Sequence, residues 1–448
     1  AKPPSTPRRT QVADKLESAL PAPLLALIRD IAATAREMGL SVYFVGGIVR
    51  DLLLGFPIFD VDLVVEGDAI ALAKQLTRER GGRVKSHARF GTAKWVMEDG
   101  GLAEIPNIQS PIHGLPSSID FVTARTEFYS YPSALPQIER SSIKQDLHRR
   151  DFTINTLAIC LDPDRFGELL DFYGGEQDLR DGVIRVLHSL SFVEDPTRML
   201  RAVRFEQRLN FSIEPRTLDL MAHALDLLDR VSGDRIRHEL TALFQEAQPE
   251  VALCRLHQLH VLQQIYVGLT CDDWLHGKYA LVRKVFKDED WPVPKHDGVA
   301  LRTFAYLALL CYRLDVTGLE SVITRLRIPS AQADDMRQAH ALKTFMPELG
   351  RRQKPSALVR LLKDYGDAAL FVTWAASDSK LAARQIQRYM CSLRDVRPEL
   401  DGKYLRSLGM QPGPEMGRVL DALRDALLDG EIKTRADQEA FVRERLSK

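Results

Sequence analysis

Hydrophobic and polar positions follow two different spacings along this chain. Over the first 190 residues, short apolar or alternating runs such as Val42–Val45 and Ser118–Thr123 predict strands, with helix-like segments such as Ala69–Arg80 between them. Beyond Phe211 the apolar positions recur every three or four residues, which predicts helices, and we find no repeat of fixed period. The pattern therefore predicts an α+β first part followed by an all-α second part.

The stretch Tyr43–Val65 combines a strand, a glycine pair and two aspartates. An apolar strand ends at Gly46 and Gly47, a short helix follows, and a second strand carries Asp60 and Asp62 between apolar residues. Side chains two positions apart in a strand share a face. Two carboxylates on one face repel each other unless a cation lies between them. The pattern indicates a divalent metal beside a turn that can approach a triphosphate. The alternative is a surface strand with two solvated aspartates.

Two further polar groups follow predicted strands. Asp120 lies in an alternating strand and is a candidate third metal ligand or general base, or simply a strand-end aspartate. Arg150, Asp151 and Asn155 precede an apolar run, and in a helix Asp151 and Asn155 would share a face. Arg150 could bind phosphate oxygens while Asp151 and Asn155 hold a ribose hydroxyl. The alternative is a capping aspartate with solvated arginines.

A second helix start carries a basic stripe. Asp195 followed by Pro196 predicts a helix N-cap with proline at the first helical position. Arg198, Arg201 and Arg204 then recur every three residues along one side of that helix. The stripe indicates anion binding, and its alternative is a solvated face of an amphipathic helix.

Charge and cysteine content narrow the picture. The 448 residues predict two to four domains, and 61 Lys+Arg balance 61 Asp+Glu, so any polyanion site must be a local patch. The late basic clusters suit an RNA backbone, with solvated helix faces as the alternative. Their candidate residues are Arg351, Arg352, Lys354, Arg384 and Arg388. The five scattered cysteines form no CxxC pair, so we expect small buried residues in a reducing compartment rather than disulfides or zinc ligands.

The chain shows no targeting or membrane signal. No apolar run approaches the ~20 residues of a membrane span, and no signal peptide is visible, so we expect a cytoplasmic protein. Residues 1–11 are rich in proline, arginine and threonine, which is typical of a linker.

The chain is similar to class II tRNA nucleotidyltransferases and bacterial poly(A) polymerases in four segments that occur in the same order. These are GGIVRDLLLG…DVD, HRRDFTINTLA, DFYGGEQDLRDGVIR and EDPTRMLRAVRF. The segments SHARFGTAKW and TARTEFY most resemble a subgroup that often carries additional N-terminal phosphoesterase-like and CBS domains. A longer parent chain with such domains is therefore expected.

The resemblance implies an α+β fold with a polymerase-β-like nucleotidyltransferase head. The head has a small mixed β-sheet over residues 12–190, and an all-α neck (191–265) and body and tail (266–448, tRNA-binding) follow. By resemblance the catalytic carboxylates Asp60 and Asp62 hold Mg²⁺, and Asp120 is added to them from its strand position. The resemblance implies nucleotide binding by Gly47, Arg50, Arg150, Asp195, Arg198, Arg201 and Arg204. Gly46, Asp151 and Asn155 are added as nucleotide-binding candidates from the local pattern.

The activity implied is template-independent addition of C and/or A to the tRNA 3′ end from CTP and ATP, with release of pyrophosphate. Asp195 and Arg198 would select the base, because arginine only donates and ionised aspartate only accepts hydrogen bonds. Cytosine and adenine present a matching amino group and ring nitrogen, whereas guanine and uracil do not. The alternatives are an A-adding or CC-adding enzyme, a poly(A) polymerase, or a non-catalytic RNA-binding protein.

Overall fold

The computed structural model describes residues 8–58, 61–97, 117–128, 137–287 and 298–446. The chain divides into two compact units, Ala1–Val231 and Ser232–Lys448. This boundary falls inside the segment 191–265 that was predicted as a neck, and the finer division into neck, body and tail stays a prediction. Among the described residues, no helix combines the length and apolar content needed to cross a lipid bilayer.

The first unit is built on a mixed sheet of eight strands. The strands of this unit are β1 (Arg8–Gln11), β2 (Ser41–Val45), β3 (Asp62–Glu66), β4 (Arg83–His87), β5 (Thr92–Val96), β6 (Ser118–Thr123), β7 (Arg125–Phe128), β8 (Gln137–Arg140), β9 (Leu157–Cys160), β10 (Glu168–Asp171), β11 (Val183–Ile184) and β12 (Ser212–Ile213). The order in the large sheet is β1-β10-β9-β2-β3-β6-β5-β4, and β3 with β6 is its one parallel pair among the described strands. The predicted mixed sheet is confirmed.

The helices of the first unit lie between and after these strands. They are α1 (Ala13–Ala19), α2 (Ala22–Glu37), α3 (Gly47–Leu54), α4 (Ala69–Arg80), α5 (Ile143–His148), α6 (Gly175–Asp181), α7 (Ser191–Glu194), α8 (Arg198–Leu209) and α9 (Pro215–His223). Short 3₁₀ turns occupy Ala88–Phe90, Thr153–Asn155, Pro163–Arg165 and Leu225–Arg230.

The core explains why the central strands are apolar throughout. Tyr43 and Val45 on one face of β2 pack in a buried cluster with Leu147 of α5, while Val42 and Phe44 on the other face are also buried. A strand covered on both faces has no polar side to present, so its sequence is a continuous apolar run. The polar residues that remain gather at the strand ends, where the site lies.

Residues 8–11, assigned to a linker from their composition, form an edge strand. β1 pairs antiparallel with β10, with Arg8 opposite Asp171 and Gln11 opposite Glu168. The linker prediction is wrong for these residues. Backbone hydrogen bonds to the edge of an existing sheet can hold a short polar segment that has no apolar pattern of its own.

The second unit is helical throughout its described residues. Its helices are α10 (Gly233–Phe244), α11 (Pro249–Gln258), α12 (Val261–Ile265), α13 (Asp273–Val285), α14 (Gly298–Cys311), α15 (Val316–Arg325), α16 (Ser330–Ala341), α17 (Met346–Leu349), α18 (Pro355–Leu362), α19 (Asp367–Ala376), α20 (Lys380–Arg388), α21 (Gly402–Ser407), α22 (Pro414–Asp429) and α23 (Arg435–Leu446). A 3₁₀ turn at Leu342–Phe345 and a π-turn at Tyr389–Leu393 complete it.

Two of the five cysteines form a disulfide, which corrects the expectation from spacing. Cys254 in α11 pairs with Cys271, and their Cα atoms are 4.9 Å apart. Between them the chain reverses at His260, which has a left-handed φ of 61°, and continues into α12. This reversal brings together two cysteines 17 positions apart. Cys160 and Cys311 are buried thiols, as predicted, whereas the thiol of Cys391 is exposed, contrary to the prediction.

Candidate functional site

Carboxylates meet at one edge of the large sheet. Asp62 opens β3 and is exposed, and the parallel register with β6 places Asp120 directly beside it. The Oδ2 atom of Asp120 lies 2.9 Å from Nζ of Lys94 on β5. Asp60 lies outside the described residues. Two of the three predicted carboxylates, Asp62 and Asp120, are therefore neighbours on one face of the sheet. Asp120 also forms an ion pair with Lys94.

The carboxylate oxygens at this edge suit a magnesium ion that also coordinates oxygens of a bound ligand. Among the described residues, no group of three or more His, Cys, Asp or Glu side chains is arranged to enclose a metal ion. Magnesium in phosphate-binding sites commonly takes one or two carboxylates and completes its shell with water and phosphate oxygens. Asp62, with Asp120 beside it, supplies carboxylate oxygens of that kind.

The turn after β2 requires glycine for two separate reasons. Gly46 has φ of 74° and ψ of −120°, and its carbonyl accepts the hydrogen bond from the Arg50 backbone NH that opens α3. A Cβ atom at Gly46 would lie 2.7 Å from Nη1 of Arg150. The glycine predicted to let a ligand approach therefore also gives room to a guanidinium that the sequence places 104 positions away.

Arg50 is buried and directed into the protein. Its side chain is 5% exposed, and its Nε and Nη2 atoms each lie 2.8 Å from Oδ1 of Asp51. Its Nη1 donates to Oδ1 of Asn155 at 2.8 Å. Arg50 lines the cavity described below, but its guanidinium is oriented by protein partners.

Asp151 joins the segment after α5 to helix α8. Its Oδ1 accepts hydrogen bonds from the Phe152 backbone NH and from Nδ2 of Asn155, both at 2.9 Å, and its Oδ2 accepts from Nε of Arg201 at 2.8 Å. Burial alone would raise the pKa of this carboxyl, but the charge of Arg201 and the hydrogen bonds from Asn155 and Arg201 outweigh burial. The pKa therefore lies below its usual value.

The predicted relation between Asp151 and Asn155 is partly wrong. The two side chains do contact each other, as i,i+4 spacing suggested, but Asn155 lies in the 3₁₀ turn Thr153–Asn155 rather than in an α-helix. In this structure they bind each other and the guanidinium groups of Arg201 and Arg50. Asp151 and Asn155 therefore use protein groups as hydrogen-bond partners, instead of the ribose hydroxyl that the sequence suggested.

Asp146 is a site-organising residue that the sequence pattern missed. Its carboxylate is fully buried and lies 2.8 Å from Nη2 of Arg149 and 2.9 Å from Nη2 of Arg150. Burial would raise the pKa of Asp146, yet the charges of these two arginines lower it below the usual value. The signal was present, because Asp146 precedes them by three and four positions on one helical face.

The start of helix α8 differs from the prediction. The helix begins at Arg198 with Thr197 as its N-cap, and Asp195 ends α7 instead. The Oδ1 atom of Asp195 accepts hydrogen bonds from Thr197, at 3.0 Å from its backbone N and 2.6 Å from its Oγ1. A turn over Pro196 and Thr197 thus separates Asp195 from the helix.

Arg198 is buried and bound to main-chain carbonyls. Its Nη2 donates to the carbonyl oxygen of Arg149 at 2.9 Å and its Nη1 to that of Ser191 at 3.3 Å, while Oε2 of Glu194 lies 3.7 Å away. Asp195 and Arg198, the predicted base-reading pair, thus lie one turn apart with Arg198 already oriented by protein groups.

Phe205 gathers three guanidinium groups around one aromatic ring. The Cζ atoms of Arg50, Arg204 and Arg201 lie 5.1, 5.3 and 5.8 Å from the ring centroid. Phe152 meets the ring edge-on at 5.9 Å. Attraction between cations and the ring face offsets part of the repulsion among the arginines. Two members of the stripe, Arg201 and Arg204, thus contact Phe205 and are only partly exposed to solvent.

A cavity of about 540 Å³ opens at the Gly46 turn, a volume in the range of small-molecule sites. Its lining comprises Val45, Gly47, Ile48, Arg50, Asp51, Phe56, Pro57, Ile58, Asp62 and Arg208. It therefore unites three predicted residues, Gly47, Arg50 and Asp62. Arg208 was missed, although it continues the basic stripe four residues after Arg204.

The predicted RNA-binding residues are all exposed and belong to the second unit. Nε2 of Gln385 donates to the carbonyls of Leu349, at 2.6 Å, and Arg351, at 2.7 Å, which holds the Arg351–Lys354 segment against α20. Arg384 and Arg388 lie on the exposed side of α20. The structure thus brings basic residues from two separate sequence clusters onto neighbouring elements.

Comparison with known proteins places these features in a family. Sequence models of two domains match, the poly A polymerase head domain at residues 42–185 and the probable RNA and SrmB-binding site of polymerase A at residues 210–271. The A-adding tRNA nucleotidyltransferase of Geobacter sulfurreducens is 36% identical over 96% of this chain and 48% of the relative. That of Halalkalibacterium halodurans is 32% identical over 94% of this chain and 92% of the relative.

A solved structure agrees with these matches. A CCA-adding enzyme in its apo form II superposes with a TM-score of 0.80 at 32% identity, covering 98% of this chain and 99% of that one. The chain spans about half the length of the Geobacter relative. The matches cover the head with its carboxylate edge and continue through the helical second unit. The chain therefore belongs to the tRNA nucleotidyltransferase family, enzymes that share the poly(A) polymerase head domain.

Proposed function

We propose that this chain transfers the adenylate of ATP to the 3′-hydroxyl of tRNA. The observation that carries the proposal is the cavity in which Gly47, Asp62 and Arg208 meet. A glycine-led helix start, a carboxylate and a guanidinium suit a magnesium-bound triphosphate. The preference for adenylate rests on similarity to two relatives named A-adding enzymes.

The turn at Gly46 and the start of α3 would receive the triphosphate. The first backbone NH groups of a helix have no partner within the helix and carry partial positive charge, which favours phosphate. Arg50, whose guanidinium is held by Asp51 and Asn155, lines the same cavity next to this helix start. The protein thereby orients the α-phosphate with groups that need little rearrangement.

The reaction forms one bond and breaks one. The 3′-hydroxyl oxygen of the RNA bonds to the α-phosphorus of ATP, the bond from that phosphorus to the bridging oxygen breaks, and pyrophosphate leaves. We assign the acceptance of the hydroxyl proton to Asp120, the second carboxylate at the sheet edge, beside Asp62. Lys94 would then keep charge balance at that edge through its ion pair with Asp120.

Asp62, together with Asp60, would hold Mg²⁺. Magnesium bound there supplies charge neutralisation for the triphosphate and lowers the pKa of the attacking hydroxyl. Asp62 contributes an exposed carboxylate at the first position of β3, beside the helix start that would orient the phosphates.

Base selection would use Asp195 and Arg198. The Asp195 carboxylate would accept from the exocyclic amino group of adenine or cytosine, and Arg198 would donate to the neighbouring ring nitrogen. Guanine and uracil present a carbonyl and a ring N–H at these positions, so they leave this pair unmatched. A lost hydrogen bond of a buried polar group costs about 1–3 kcal/mol, which is enough for selection. Because Arg198 is held by carbonyl oxygens, the pair would present a fixed pattern.

Complete CCA addition from CTP and ATP is the second candidate. It is favoured by similarity to the CCA-adding enzyme over nearly the full length of both chains. The two candidates share the cavity and the carboxylate edge. They differ in whether cytidylate is accepted when the tRNA has no CCA end.

The test offers three tRNA substrates, ending before CCA, after C and after CC. Each is incubated with CTP, ATP or both, and the product ends are sequenced. We expect a single A on the substrate ending in CC and no use of CTP. Use of CTP on the shortest substrate would favour complete CCA addition, and long A tails on unrelated RNA would favour poly(A) synthesis.

A variant pair locates the chemistry. Asp62→Asn should abolish incorporation on every substrate while leaving thermal unfolding nearly unchanged, because Asp62 is exposed. Asp229→Asn changes another exposed aspartate of the same unit and should keep full activity. Equal activity of the two variants would contradict the proposed site.

A further inference from the structure

We infer that Arg208 binds the pyrophosphate portion of the incoming nucleotide, an inference that rests on the proposed function. Arg208 occupies the last turn of α8 and its side chain is exposed. It lines the same cavity as Gly47, at the start of α3, and Asp62, at the start of β3. The residue therefore belongs to the space assigned to the triphosphate and magnesium.

The charges lining the cavity single out Arg208. Four lining residues carry charge: Arg50, Asp51, Asp62 and Arg208. Arg50 and Asp51 form an ion pair with each other, and Arg50 also donates to Asn155. Arg208 is exposed, and no ion pair with another described residue holds its guanidinium. It is thus the lining cation with a guanidinium available to a ligand.

The basic stripe of α8 divides into two parts at this point. Arg198 donates to main-chain carbonyls and Arg201 to Asp151, so both guanidinium groups bind protein partners. Arg208 lies seven residues beyond Arg201, two helical turns along the same face, where the cavity opens. The sequence pattern favoured the earlier arginines, whereas the packing leaves the later one facing the ligand space.

The chemistry of the ligand follows from the side chain. A guanidinium presents a planar fork of donors that matches two oxygens of one phosphate or of adjacent phosphates. A nucleoside triphosphate carries close to four negative charges, more than one magnesium ion neutralises. Arg208 would supply charge at the β- and γ-phosphates and stay bound to the pyrophosphate as it forms.

The experiment compares Arg208→Ala with the wild-type chain, using the tRNA that ends in CC. The KM for ATP should rise by about 10- to 100-fold, which corresponds to loss of a charged hydrogen bond. The KM for tRNA should change little. Arg208→Lys keeps the charge without the fork and should fall between the two. Arg216→Ala, at another exposed arginine of the first unit, is the matched control and should behave as wild type.

Binding without catalysis separates this inference from the proposed function. With magnesium present, Arg208→Ala should weaken binding of pyrophosphate and ATP but leave AMP binding unchanged. If the wild type adds no A to tRNA yet shows this binding difference, the inference stands and the proposed function fails. Unchanged pyrophosphate binding, equal losses for ATP and AMP, or a rise confined to the KM for tRNA would each overturn the inference. Thermal unfolding confirms that the three variants, Arg208→Ala, Arg208→Lys and Arg216→Ala, fold.

Discussion

Gly46 shows how much one residue can contribute at the residue scale. Its positive φ forms the turn between β2 and α3, and its missing side chain leaves space for Arg150. Arg150 in turn is held by the buried carboxylate of Asp146. A single glycine thus connects the backbone of the predicted triphosphate turn with a guanidinium from a distant segment.

We predict that Gly46→Ala impairs activity more than stability. The positive φ should cost about 1–2 kcal/mol of unfolding free energy. The new Cβ would also push the Arg150 guanidinium from its place, and displacement of about 1 Å at a site can cost 10²-fold in rate. Gly39→Ala is the matched control, because Gly39 has φ of 71° and no heavy atom within 4 Å of an added Cβ. Denaturant unfolding should give similar losses for both, while single-turnover incorporation should fall only for Gly46→Ala.

At the scale of elements, Asp151 fastens helix α8 to the segment that follows α5. The carboxylate is buried and joined to Arg201 through Oδ2, while its Oδ1 receives two hydrogen bonds from the segment 151–155. Phe152 and Phe205 pack edge to face beside this ion pair. The ion pair between Asp151 and Arg201, with the two hydrogen bonds on Oδ1, sets the position of the basic stripe relative to the Gly46 turn.

We predict that Asp151→Asn destabilises the fold by about 1.5–3 kcal/mol at pH 7, because the buried carboxylate loses its charged hydrogen bonds with Arg201. The pKa of Asp151 is lower in the folded than in the unfolded state. The ionised carboxylate therefore contributes its full stabilisation of the fold above pH 3.8, and this stabilisation is lost as the pH falls through the pKa of the folded state. The difference between wild type and variant should therefore shrink below about pH 4. Urea unfolding from pH 7 to pH 3 measures it.

The control for this experiment is Asp164→Asn. Asp164 pairs with Arg36, but both side chains are more than half exposed, so the change should cost at most about 1 kcal/mol. If Asp151→Asn lowers the free energy of unfolding no more than Asp164→Asn does, then the ion pair between Asp151 and Arg201 does not stabilise the unit.

At the scale of the whole molecule, the chain carries no net charge, so RNA affinity depends on where its charges gather. Gln385 holds the Arg351–Lys354 segment beside α20, whose exposed side carries Arg384 and Arg388. Counterion release makes such contacts weaken as salt increases. The second unit thus carries a local basic surface on a protein without net charge.

We predict that changing both Arg384 and Arg388 to Ala weakens tRNA binding and reduces the slope of log affinity against log salt by about 1 to 2. The KM for ATP should not change, because the cavity is lined by the first unit. The matched control changes Lys74 and Arg78, two exposed cations with the same spacing on α4. Equal salt slopes for the two double variants would contradict an RNA-binding role for α20.

The sequence by itself determined the elements and the type of chemistry. Apolar runs, glycine turns and the alternating patterns that contain Asp62 and Asp120 are local features, and local backbone preferences convert them into strands and turns. The parallel register that places these two carboxylates side by side comes from the tertiary structure. Family resemblance extended this to the nucleotidyltransferase fold, which the structural comparison confirms. The role of Asp60 stays a prediction, since it lies outside the described residues.

Only the tertiary structure decided which partner each polar side chain meets. Arg201 and Asp151 are 50 positions apart, Arg50 and Asn155 are 105 apart, and Cys254 meets Cys271 after a helix reversal. Such pairs depend on strand register and helix packing, which residue spacing within one element does not encode. For the same reason, the pattern favoured the early arginines of α8, whereas in the folded chain Arg198 and Arg201 bind protein groups and Arg208 lines the cavity.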